Sequence, residues 1–335
     1  MGQAVGESVV SCYLVFNHHA LPCDHEQQAV DAVPEFLRVC VRAQRLGLNV
    51  LLVDDSMDAS WFRLELANGF FWQDWYNRNK SDYNLKDLIR AFRSIATRQP
   101  YYSNEDIDLQ VDLFDVVLSS DSKRYAALRA AAWHAAHLVS FPTRAPWNST
   151  PLFIREESVD EQGEIRNATS QIHNIHSLAV LNDRESAILH EKDERIRSGS
   201  ELIDNWSVLY GHLGYCGKVK EQLSVWTHNL SILEQTKESL RILDKFASQW
   251  SSSICSCYSH QTLRELGLNH EVSGESSSVL NNPSLRKFRE FWLPTGSKEL
   301  FENHIKLSKG FRIHFYCEDC SKKVYVGYIG PHLPL

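Results

Sequence analysis

Along residues 297–316 apolar and polar positions alternate with a period of two, and that alternation fixes a hairpin. Ser308-Lys309-Gly310 is read as a three-residue loop, with Gly310 supplying the left-handed position. Lys306 then faces Arg312, Ile305 faces Ile313, His304 faces His314, and Leu307 faces Phe311. Phe301, Ile305, Leu307, Phe311, Ile313 and Phe315 share one face, while His304, Lys306, Arg312, His314 and Tyr316 share the other. A two-residue loop would mix apolar and charged residues on each face, and register is held by keeping one face buried. The pattern therefore predicts a greasy face packed on helices and a solvated face carrying two His, a Lys, an Arg and a Tyr.

The rest of the chain is less regular. Residues 9–16 are β-branched and aromatic and read as a first strand. A helix follows through residue 45, with Val33, Phe36, Leu37, Cys40 and Val41 at helical spacing. Pro34 implies either a kink or a helix that begins near Asp31. Gly47 stops it, and residues 50–53 form a short buried strand running into Asp54 and Asp55. This is a βαβ pattern without the glycine-rich first turn of a nucleotide fold. Residues 82–97 read as a second amphipathic helix. Residues 122–139 read as an alanine-rich third, with His134 and His137 on one face as core or rim histidines. Residues 152–155 and 164–172 pair as a hairpin around Gln162-Gly163, with His173 and His176 on opposite faces of its second strand. Residues 183–197 read as an exposed charged helix, and residues 219–250 as one or two long helices before Ser-rich punctuation. There is no internal repeat.

Composition narrows the function classes. A chain of 335 residues with 43% apolar residues and nine Trp is long enough for two cored domains. No apolar run approaches the length of a membrane helix. The first residues lack a basic segment and cleavage site, so a cytoplasmic protein is expected. Residue 6 is Gly rather than the Ser or Thr of a myristoylation signal. Net charge is −7, which argues against a general nucleic-acid coat. The charge is uneven, however: from Arg286 onward nine Lys or Arg stand against five Asp or Glu, leaving 26 against 37 in the rest. A locally positive segment suits RNA, DNA or an acidic partner, and equally an edge charged against sheet aggregation. Cys317 and Cys320 fall at an expected hairpin turn, where a zinc knuckle or a plain turn would serve, and Cys255 and Cys257 lie in a Ser-rich loop. Residues 211–218 have the wrong spacing for a P-loop. Asp54, Asp55 and Asp58 offer an acidic metal cluster or, as strand-end residues, capping groups.

Taken as a run, Arg289-Glu290-Phe291, Pro294-Thr295-Gly296, Phe301-x-x-His304-x-Lys306, Arg312-Ile313-His314-Phe315 and Val326-Gly327-Tyr328-Ile329-Gly330-x-His332-Leu333 resemble the last strands of RelE/HigB-type toxin domains. The whole chain also resembles a bacterial family associated with phage-defence genes. The toxin-like part covers about a third of the chain. It implies an α+β protein: a mixed α/β recognition or scaffold domain over residues 1–200, then helices packed on a four-stranded antiparallel sheet over residues 201–335. It implies metal-free, cofactor-free RNA cleavage, with Lys306 and Arg312 as phosphate cations, His304, His314 or His332 in proton transfer, and Tyr316 stacking on a base. Three functions follow as expectations. One is a non-catalytic subunit of a phage-defence complex that grips nucleic acid or a protein partner through the basic C-terminal sheet face. The next is a ribonuclease effector using the same face. The last is an unrelated enzyme with its site near Asp54 and Asp55.

Overall fold

The computed structural model describes residues 13–57, 60–97, 100–103, 105, 107, 114–159, 164–226 and 230–334. The chain is mixed α/β and divides into two compact units between Ile188 and Leu189, twelve residues before the expected boundary and inside the helix Leu178–Arg195. No helix among the described residues is long and apolar enough to cross a membrane.

The first unit is built on a parallel sheet in the order Asn174–Ile175, His137–Ser140, Tyr13–Asn17, Val50–Asp54, Tyr101–Tyr102. Its central strands carry Leu14, Val15, Phe16, Leu51, Leu52 and Val53, all buried, as a sheet covered on both faces requires. The first helix, Glu26–Arg45, runs through Pro34 without ending there. His25 caps it by accepting a hydrogen bond on Nδ1 from the Gln28 N–H at 3.1 Å. Val33, Phe36, Leu37 and Cys40 form its buried stripe, with Val41 at the margin. The expected helix over residues 122–139 spans only Ala126–Trp133. Ala135 is left-handed at φ 47°, which ends the helix, and His137 then opens a buried strand. His134 and His137 therefore do not share a helix face. The hairpin is present as Leu152–Val159 against Ile165–Ile172, joined by Asp115–Leu118 into a separate antiparallel sheet. Gln162 and Gly163 lie outside the described residues.

The second unit centres on a sheet in the order Leu213–Tyr215, Lys323–Pro331, Phe311–Glu318, Asn303–Lys306, Glu271–Ser273. It has five strands and is mixed, not four antiparallel ones, because Leu213–Tyr215 adds in parallel beside Lys323–Pro331. Gly214 permits that pairing: a Cβ there would fall 2.4 Å from the Tyr325 ring. The long helical stretch resolves into Gly217–Ser224 and Leu230–Ser251. Leu233, Leu240, Leu243, Phe246 and Trp250 of the latter share one core with Ile305, Ile313, Phe315, Val324 and Ile329. The charged helix is only partly exposed, since Lys192 and Asp193 near its end are buried. The carbonyl of Asp193 accepts from the buried Lys237 ammonium at 2.8 Å.

Candidate functional site

The hairpin forms in the register that alternation dictates: His304 opposite His314, Ile305 opposite Ile313, Lys306 opposite Arg312. Lys309 and Gly310 take up the left-handed turn, at φ 53° and 78°. The surroundings differ from expectation. A second apolar layer of Phe291, Leu293, Phe301 and Tyr325, with Tyr316 and Tyr328 at its margin, packs on the polar face. Phe301 belongs to this layer and not to the helix-facing core, because residues 301–302 interrupt the strand and the alternation does not carry through them. On the far side an extra residue, Gly327, bulges the last strand between the His314–Tyr328 and Phe315–Val326 pairs. A Cβ on Gly327 would lie 2.6 Å from the Phe301 ring and 2.7 Å from the Phe291 ring, so glycine lets the layer seat.

His304 and His314 are consequently enclosed, at 7% and 1% exposure, instead of facing solvent. Their rings lie 5.0 Å apart. The His314 Nδ1 sits 3.1 Å from the Phe301 carbonyl, which can only accept, so the proton resides on Nδ1. Burial pushes the His314 pKa down to about 3, against the opposing pull of that carbonyl. His304 is also lowered by burial, with Glu275 pulling the other way. Its Nε2 pairs with the Ser273 hydroxyl at 3.2 Å. Beside it the fully buried Arg289 donates through Nε to Glu275 Oε1 at 2.9 Å and through Nη1 to the carbonyls of Leu285 and Pro334. Arg289 and Glu275 were not recognised as site residues from the sequence, where nothing marks either as buried.

Glu275, His304 and His314 bring three ligand atoms within 4.8 Å of one another, close enough in principle to collect a metal. Charge decides against it. Glu275 already neutralises Arg289, so a divalent ion would add two uncompensated charges to a buried layer. Two neutral imidazoles in this enclosure are equally poor proton donors near neutral pH.

The cations stay nearer the surface. The Lys306 ammonium pairs with Glu271 on the adjoining edge strand. That contact, with Arg312 and Arg264 adding to it, holds the Glu271 carboxyl below the usual carboxylate range. Arg312 donates Nη1 to the Phe311 carbonyl at 2.8 Å. The Tyr316 ring packs at 5.6 Å on Phe301 and joins the margin of the covering layer. His332 is exposed, with Nδ1 2.6 Å from the Leu333 carbonyl. Of the six predicted residues, the fold joins His304 with His314 in an enclosed pair and Lys306 with Arg312 in a surface pair. Tyr316 goes to the covering layer. Cys317 packs against the core with its thiol pKa raised by burial, Cys320 is exposed, and no third ligand joins them among the described residues.

A separate polar cavity of about 370 Å³ lies in the first unit at the carboxyl ends of the parallel strands. His18, His19, Asp54, Asp55, Ser56 and Glu105 line it. Open parallel sheets place their ligand sites at this edge. The His18 and His19 rings are 3.9 Å apart, and His18 Nδ1, His19 Nε2 and the neighbouring Asn17 Oδ1 are buried without hydrogen-bond partners. Burial lowers both histidines, His19 to about 4. Asp54 Oδ1 accepts from the Ser56 N–H at 2.9 Å, the capping role expected of a strand-end Asp. Asp58 lies outside the described residues. Asp54 and Asp55 are candidates from the sequence, and the fold brings the two histidines to them. His18 and His19 carry a usable signal, since they directly follow the first strand of a βαβ unit. No family model matches the chain, and no curated protein or solved structure matches it.

Proposed function

We propose that this chain is a non-catalytic component of a bacterial phage-defence system, and that its C-terminal unit, toxin-like in its strand pattern, holds nucleic acid by its phosphates. The phage-defence setting rests on the resemblance alone. The binding mode rests on one observation: Arg264, Lys306 and Arg312 gather round the single carboxylate of Glu271 at the sheet edge. Their excess positive charge is available to a polyanion, whereas two of the three histidines named for RNA cleavage, His304 and His314, are enclosed and held neutral by burial.

The test is fluorescence anisotropy of the full chain with labelled single-stranded RNA, single-stranded DNA and duplex DNA across a salt series. Affinity should fall with salt, and the Lys306→Glu/Arg312→Glu variant should flatten the log–log slope by about 1 to 2. Equal binding by wild type and variant would remove the reading, and binding of an acidic protein instead would reassign the face. Cleavage of the RNA by wild type, abolished in the double variant, would restore the ribonuclease alternative.

A second reading is favoured by the unpartnered imidazole atoms in the first unit. Neutral His18 and His19 beside Asp54 and Asp55 form an acid–base set at the edge where α/β enzymes work. Diethyl pyrocarbonate, followed by mass spectrometry, should modify one of them faster than the enclosed His314. Modification of His314 first would count against an accessible base in this cavity.

A further inference from the structure

A second cavity carries a sharper chemical signature. It lies in the first unit, has a volume of about 370 Å³, and is walled by Trp61, Trp72, Tyr76, Phe92 and Tyr101. Trp61 lies 5.3 Å from Trp72 and 5.1 Å from Phe92, so the rings brace one another round the opening. Ser60, Arg93 and Thr97 are the non-aromatic polar side chains in its lining. Trp75, 1% exposed, backs the ring wall. Arg93 is exposed at the same cavity, and no carboxylate lines it among the described residues.

Each feature excludes a ligand class. The absence of a carboxylate from the lining and the presence of a guanidinium disfavour a cation, despite the aromatic walls that would otherwise suit one. A purely aliphatic ligand would make no use of the guanidinium at the cavity or of the flat ring faces. A volume of about 370 Å³ is at the small end of ligand sites and accommodates one or two fused rings with a substituent. We propose that this cavity binds a planar aromatic ring bearing an anionic arm, with the ring against the indoles and the anion on Arg93. Nucleoside monophosphates and aromatic carboxylates share that chemistry. The site is independent of the nucleic-acid reading of the C-terminal unit.

Isothermal titration of the full chain with two matched pairs tests this: AMP against adenosine, and indole-3-acetate against its amide. In at least one pair the anion should bind one to one and about tenfold more tightly than its neutral analogue. Arg93→Gln, at an exposed position, should erase that preference and leave the neutral ligand's affinity unchanged. The pair that responds identifies the source of the ligand. Saturable binding by none of the four, or a preference that survives Arg93→Gln, overturns the proposal.

Discussion

Acidification should loosen the second unit through His314. Its pKa falls from 6.5 to about 3 on folding, because burial penalises the charged ring more than the Phe301 carbonyl favours it. Between those two values the unfolded chain takes up a proton that the folded chain refuses. Stability contributed by this group is therefore intact above about pH 6.5 and is lost progressively as the pH drops towards 3. At pH 5 the loss is about 2 kcal/mol, from about 1.4 kcal/mol per unit over the portion of the window already crossed. His304, 5.0 Å away, and Arg289 both oppose a charge on His314 and add to the cost that burial sets. Replacing His314 with Asn preserves an N–H for the Phe301 carbonyl and removes the titration. Amide hydrogen exchange over Phe311–Glu318, measured in the full chain at pH 7 and pH 5, reads the opening free energy of that strand alone. Wild type should lose about 2 kcal/mol more protection than His314→Asn on going to pH 5. The same loss in both proteins would refute the reasoning, since His304 titrates in each and cancels.

Removing Arg289 should cost more than removing any surface cation. Arg289→Met leaves Glu275 buried without its partner and should destabilise the unit by about 3–5 kcal/mol in urea unfolding, while Arg289→Met/Glu275→Gln recovers much of it. Gly214→Ala places a Cβ 2.4 Å from the Tyr325 ring, a clash expected to cost about 1–3 kcal/mol and to show first as faster amide exchange in Leu213–Tyr215. Gly310→Ala, at φ 78° with open space around the Cβ, should cost only about 1 kcal/mol by thermal melting.

How much was legible follows from the range of the interactions. The hairpin register was readable because alternation and loop chemistry are local, and a slip of one residue would have inverted both faces. The first helix was readable for the same reason, from the spacing of Val33, Phe36, Leu37 and Cys40. The layer over the histidines was not, since Phe291 and Phe301 reach it through an interrupted strand and need the bulge at Gly327 to seat. Leu213–Tyr215 was missed as a strand because its partner lies more than a hundred residues later in the chain. Ala135 was read as helix because alanine favours helix, whereas here it takes the left-handed turn that separates a helix from a buried strand. The pairing of Arg289 with Glu275 likewise leaves no trace in spacing, and only burial reveals it.

The strand order also sets a sequence of events during synthesis. Lys323–Pro331 lies between Leu213–Tyr215 and Phe311–Glu318, yet it is translated after both. Until it arrives, each neighbour presents an open edge, the exposed backbone on which misassembly and aggregation begin. The second unit is closed by an interior piece, like an arch by its keystone. A translation pause or a truncation before residue 323 would leave one gap between two open edges instead of a slightly smaller sheet.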